Sequence, residues 1–202
     1  MTHAGIGRAL VASLHQGISD LLPTRLEFYE SWLNPAEIHH RRRNIGLAPW
    51  QAALSFLRLE GDAYGAVTRR AGAYAAEWTV ASQWPATRAV IRRLPPTLRA
   101  RAALGFARRT MRRASTGTRA KVRLRRGKGT IDVHGSLFCV SRVTAAAPLC
   151  GFYEAVAARF LELYRVDAEV RCASCRAAGD PSCVLELALT AGGRPREATG
   201  TP

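Results

Sequence analysis

The apolar residues of this chain change their period once, near residue 119, and that change dictates a fold with two kinds of secondary structure. Before it, apolar positions recur at helical intervals. Ile6, Leu10, Leu14, Ile18 and Leu21 form one stripe, stopped by Pro23. Leu26, Phe28, Tyr29, Trp32 and Leu33 predict an aromatic-rich helix over 24–33, ending near Asn34-Pro35. A third helix starts at Pro49, a favoured first position, and carries Trp50, Leu54, Phe56 and Leu57 to Gly61. A fourth covers 62–81 through Tyr64, Val67, Tyr74 and Trp78. Gly65 and Gly72 inside it each cost a helix about 1 kcal/mol relative to Ala, or mark close packing. Pro85 and Pro95-Pro96 punctuate the next stretch, and a basic helix over 97–113 places Leu104, Ala107 and Met111 on one side.

After 119 the alternation has period two. Lys121 to Arg125 reads as a half-buried strand, Gly127-Lys128-Gly129 as a turn, and Thr130 to Val133 as the return strand of a hairpin. Residues 148–164 are predicted helical, with Phe152, Val156, Phe160 and Tyr164 on one face. Asp167 to Cys172 and Val184 to Leu189 alternate again, either side of a turn at Gly179-Asp180-Pro181. The expected fold is α+β: a helical N-terminal part (1–94), then a small antiparallel sheet with a packed helix (95–190). The polar end, 191–202, is expected to be a disordered tail.

At 202 residues the chain is long enough to bury a core unaided. No run reaches 18 apolar residues, which excludes a membrane-spanning helix. His15, Gln16 and Asp20 interrupt the first 22 residues, so they do not read as a secretory signal, and the expected location is cytoplasmic. The net charge of +15 is unevenly placed: Trp78 to Ile131 holds 15 basic residues and no acidic one, and the remainder is balanced. Arg108, Arg109, Arg112, Arg113, Arg123, Arg125 and Arg126 form the densest part of this stripe. Such a stripe suits an acidic protein, an anionic membrane surface or nucleic acid. It also fits a solvated basic face with a strong Arg bias, 28 Arg against 2 Lys. Only Phe106 interrupts 88–128 with an aromatic ring, so stacking of unpaired bases has little support.

All five cysteines follow residue 138. Cys172-x2-Cys175-x7-Cys183 spans the turn between the last two strands, and Cys150 starts the preceding helix. Four thiolates at a strand end, its turn, the return strand and a helix N-terminus suit a tetrahedral zinc ion with no open position, a structural site. The helix dipole favours thiolate at Cys150, and Arg171 and Arg176 are placed to offset negative charge. Cys139, in the apolar run Leu137 to Val140, reads as a core thiol.

The run Cys150-Gly151-Phe152-Tyr153-Glu154, followed by Val170-Arg171-Cys172-Ala173-Ser174-Cys175 and Gly179-Asp180-Pro181-Ser182-Cys183, resembles the 4-vinyl reductase domain. That domain occurs in a bacteriochlorophyll-biosynthesis protein and in bacterial aromatic sensors, and is related in fold to TRAPP subunits. The resemblance covers about residues 95–190. It implies zinc on Cys150, Cys175, Cys183 and, in a slot that is acidic in the family, Cys172. It also implies a binding module, a sensor, carrier or biosynthetic accessory, for a hydrophobic or aromatic molecule such as a tetrapyrrole. The inward positions would be Phe106, His134, Phe138, Tyr153 and Val170. A homodimer is compatible with it.

No catalytic constellation accompanies these features. Gly127-Lys128-Gly129 lacks phosphate-loop spacing, no Gly-x-Ser-x-Gly elbow occurs, and His39-His40 lacks the i,i+4 spacing of a helical metal pair. A binding module is therefore the leading expectation. A nucleic-acid-binding protein using residues 88–128 is the first alternative, and a pigment-pathway reductase the second.

Overall fold

The structure, a computed structural model, describes residues 5–33, 47–140 and 144–190. The tail from 191 and the His39-His40 pair lie outside the described residues. These hold seven α-helices and a four-stranded antiparallel sheet, as the period change requires. The helices are α1 (Arg8–Leu21), α2 (Leu26–Leu33), α3 (Leu47–Leu59), α4 (Asp62–Ala81), α5 (Pro85–Arg93), α6 (Pro96–Arg113) and α7 (Gly151–Leu163). The strands are β1 (Arg119–Arg125), β2 (Lys128–His134), β3 (Ala168–Ser174) and β4 (Cys183–Leu189), in the order β1-β2-β4-β3. No helix among them is long and apolar enough to cross a membrane.

Helix α5 is an element that periodicity did not resolve. Pro85 sits at its start, where a missing N–H costs nothing, and Pro95 follows its end. It buries Ile91 alone, so its sequence carries no apolar stripe. The β1–β2 turn also differs from expectation by one residue. Arg125 pairs with Lys128, leaving Arg126 and Gly127 as a two-residue loop with φ of 48° and 78°. Both positive angles match the right-handed twist of the flanking strands, and Lys128 and Gly129 become part of β2.

Helix α7 is the central element. One side packs against α4 and another lies over β3, with α6 alongside. The α4–α7 crossing is close because Gly72 has no side chain: a Cβ there would fall 2.4 Å from the Phe152 carbonyl oxygen. The same crossing buries Phe152, Tyr153, Val156 and Phe160 on α7 and Val67, Ala71 and Ala75 on α4. Full burial of each large apolar side chain is worth roughly 1.5–3 kcal/mol. One continuous core joins the helices before residue 94 to the sheet behind them.

The sheet is two-sided. Ala120, Ile131, Val133, Leu185 and Leu187 face the helices and are buried. The opposite face carries cross-strand rows read from the register: Lys121 beside Asp132; Arg123, Thr130, Glu186 and Arg171; Arg125, Lys128, Ala188 and Glu169.

Candidate metal centre

Four thiols meet where the loop after β2, the start of α7 and the β3–β4 turn converge. Cys139, Cys150, Cys175 and Cys183 have all their sulfurs within 4.8 Å of one another. Cys139 Sγ lies 3.3 Å from Cys150, 3.5 Å from Cys175 and 3.5 Å from Cys183, and Cys150 and Cys175 are 3.4 Å apart. All five cysteines are free thiols.

Each thiol is placed by backbone geometry. Cys150 is the N-cap of α7. Cys175 leads into a short 3-10 turn, Arg176–Ala178. Its N–H donates to Asp180 Oδ2 at 2.7 Å, and its carbonyl accepts from Ala178 and Asp180. Asp180 thus serves the turn as a brace. Cys183 opens β4. The N–H of Leu149 donates to Cys175 Sγ at 3.3 Å, and the N–H of Arg176 to Cys183 Sγ at 3.4 Å. Backbone donors aimed at sulfur favour thiolate over thiol.

Cys139 is held from the helical half. Arg58, on α3, donates from one guanidinium nitrogen to the carbonyls of Phe138 and Val140, at 3.0 Å each, bracketing Cys139. This clamp brings a fixed positive charge to the thiol-bearing loop. Arg171 was expected to supply such a charge, but it points to the other face of the sheet and pairs with Glu186. Arg176 contributes its N–H to Cys183.

The thiols that gather most tightly differ by one from the set that sequence spacing suggests, and Cys172 lies beside Cys150 and Cys175. Cys172 stands outside the quartet and Cys139 takes the fourth place. The register of β3 slips between Cys172 and Ser174, and the half-buried Cys172 thiol donates instead to the Ser174 carbonyl at 3.3 Å. Its N–H donates to Glu154 Oε2 at 3.1 Å, tying β3 to the first turn of α7. Among the crowded thiols, those of Cys139 and then Cys150 draw the proton affinity of Cys175 down. Cys139 and then Cys172 push that of Cys150 up. Such a group cannot ionise fully without a cation at its centre.

The donor set passes the test for a metal. Four sulfurs about 2.3 Å from a tetrahedral ion stand about 3.8 Å apart; four of the six spacings here are 3.3–3.5 Å and the other two lie within 4.8 Å, so only a small adjustment is needed. The quartet can hold a metal ion, and four protein sulfurs leave it no open position.

The expected pocket residues do not share one wall. Phe138 and Tyr153 are wholly buried and pack edge to face at 5.6 Å, with Phe152 stacked on Phe138 at 4.9 Å. Phe106 lies toward the other end of α7, stacked on Tyr164 at 5.8 Å and Phe160 at 6.2 Å. Val170 is half-buried on the inner face of β3. His134 ends β2 on the solvent side, its Nε2 3.1 Å from Asp132 Oδ1. It is exposed because inward residues of β2 are the odd-numbered ones, Ile131 and Val133.

A feature that periodicity could not show surrounds Phe138. Trp50 Nε1, Tyr64 Oη, Ser136 Oγ and Tyr153 Oη are buried with no well-formed hydrogen bond among the described residues; Tyr153 lies near Ser136 and Thr118, and Tyr64 near Arg58. The Trp50 ring is 6.1 Å from Phe138. Burial pushes the Tyr64 and Tyr153 phenols well above the usual tyrosine range, so both remain proton donors.

No protein-family model matches the chain, and no curated protein matches it. Among solved structures, it is similar to an H-NOX protein from S. oneidensis in the Fe(II)NO ligation state. The similarity has a TM-score of 0.55 and covers 92% of this chain and 100% of that one. At 10% sequence identity, the likeness is one of fold.

Proposed function

We propose that this protein is a zinc-stapled binding module for a small aromatic molecule with polar substituents. The observation that carries the reading is the convergence of four thiols from three separate parts of the chain, all within 4.8 Å. Zinc suits an all-sulfur tetrahedral set and carries no redox chemistry of its own. Bound to Cys139, Cys150, Cys175 and Cys183, it would fasten the Phe138 loop to α7 and to the β3–β4 turn. The role is structural.

The fastened loop borders the aromatic cluster of Trp50, Phe138, Phe152 and Tyr153, where four buried polar atoms make no well-formed hydrogen bond. An unpaired buried donor costs about 1–3 kcal/mol, so these atoms favour a guest that supplies acceptors. A phenolic or carboxylated aromatic compound matches them. A tetrapyrrole held through its metal by histidine fits less well, because the described histidines are His15, paired with Glu30, and the exposed His134. The sequence resemblance to the 4-vinyl reductase domain, a sensor or carrier type, is consistent with this reading.

Elemental analysis of protein purified under reducing conditions tests the staple, with one zinc ion per chain expected and metal-free folded protein counting against it. Titration with a panel of phenols, aromatic acids and porphyrins, read by tryptophan fluorescence and native mass spectrometry, tests the ligand. Saturable binding of a phenol or acid, weakened by Tyr153→Phe, is expected. Absence of saturable binding across the panel overturns the ligand assignment.

A further inference from the structure

The solvent face of the sheet and the outer side of α6 carry the charge that the thiol centre does not use. Arg119, Lys121, Arg123 and Arg125 project from the same face of β1, because alternate strand residues share a face. Their spacing is about 6.8 Å, so the row extends about 20 Å. Arg126 and Lys128 add two cations at the hairpin tip. Around the edge of β1, Arg101 and Arg108 of α6 border a depression of about 310 Å³ with Val122 and Leu124. None of these eight cations forms an ion pair among the described residues.

The row has a definite boundary. A cleft of about 590 Å³ lies across the sheet, with Arg123, Arg125 and Lys128 on one side and Glu169, Arg171 and Glu186 on the other. Arg171 is paired with Glu186, so the far side is neutral to acidic. Across this face of the sheet, the unpaired positive charge lies on the β1 side and at the hairpin tip. Basic residues on an edge strand also deter pairing with other strands. One or two suffice for that, and the deterrent does not explain the matching cations on α6.

We propose that this ridge binds the phosphate backbone of duplex nucleic acid. Arginine presents a planar fork that engages phosphate through paired hydrogen bonds, and six of the eight cations are arginine. A linear row of them suits a linear polyanion. Phe106, the aromatic residue within 88–128, stacks inward on Phe160 and Tyr164, so the β1 row carries no ring beside it for unpaired bases. Insertion into a lipid surface needs apolar side chains among the cations. The exposed apolar residues of the basic segment, Trp84, Val90 and Leu98, lie instead at α5 and the first turn of α6, off the β1 row. Contacts to phosphate alone carry no sequence information, so the binding is non-specific.

The test is fluorescence anisotropy of a short labelled duplex DNA of mixed sequence, titrated with the full chain over a series of salt concentrations. The logarithm of affinity should fall linearly with the logarithm of salt. Arg123→Gln with Arg125→Gln should reduce the slope by about 1.8 and weaken binding about tenfold at low salt, at about 0.9 per phosphate contact. Ser31→Glu with Ser55→Glu makes the same change in net charge on the helical half and should leave both unchanged. Unchanged thermal unfolding of both variants keeps the comparison interpretable. Equal losses in the two variants, tighter binding of single strands than of duplex, or binding of phosphatidylserine vesicles with no binding of duplex would each overturn the proposal.

Discussion

Cys139 shows how one residue's role turns on its neighbours. Its flanking sequence is apolar, and nothing in its spacing from Cys150, Cys175 or Cys183 marks it as their partner. The Arg58 guanidinium decides the matter by gripping the carbonyls on either side of it. Cys172 has the better sequence spacing but donates to the Ser174 carbonyl and lies at the margin of the quartet, beside Cys150 and Cys175. Its thiol is pushed up to about 12: the pull of Cys150 is outweighed by Cys175 and by burial. Cys139→Ser should therefore abolish stoichiometric zinc while Cys172→Ser retains it, measured by metal analysis of the two purified variants. Loss of metal from Cys172→Ser alone would restore the quartet inferred from spacing.

At the scale of elements, strong periodicity located most of the helices and strands, and its failures have identifiable causes. The expected helix over 62–81 coincides with α4, and the alternating segments became β1, β3 and β4 with shifts at their ends. Helix α5 lacks an apolar period because it buries a single side chain, so its residues follow solvent and not the core. Helix α7 begins at Gly151 and not at Pro148, because Cys150 is its cap. Gly72 and Gly105 separate two reasons for glycine in a helix. A Cβ at Gly72 meets the Phe152 carbonyl at 2.4 Å, whereas one at Gly105 meets nothing within 4 Å. Gly72→Ala should destabilise the protein by about 1–3 kcal/mol through overpacking. Gly105→Ala should stabilise it by about 0.5–1 kcal/mol through helix propensity. Urea unfolding distinguishes the two signs.

At the scale of the whole molecule, α1 is tied to α4 by packing and by a surface cluster in which Asp20 accepts from Tyr74, Gln16 and Arg70. The Tyr74 hydroxyl, followed by Gln16, holds the Asp20 carboxyl below its ordinary value of 3.8. A lowered carboxyl stabilises the fold above its unfolded value and loses that contribution as pH falls through the folded one. The unfolding temperature of the native protein should exceed that of Asp20→Asn near neutral pH. The difference should close as pH falls below about 3.8. Because one core runs through both halves, the change should appear in a single transition.

The sequence by itself determined the α+β class, the segregation of all net charge into residues 78–131, and the gathering of every cysteine into the last third of the chain. These follow from periodicity and composition, which are local properties and need no knowledge of folding. Only the tertiary structure decided which four thiols meet, that His134 faces water and that Arg171 faces away from the sulfurs. It also decided that the basic residues of β1 and α6 flank one sheet edge. Each of these depends on how loops close and which way a strand's odd and even residues point. A shift of one residue in register would reverse them.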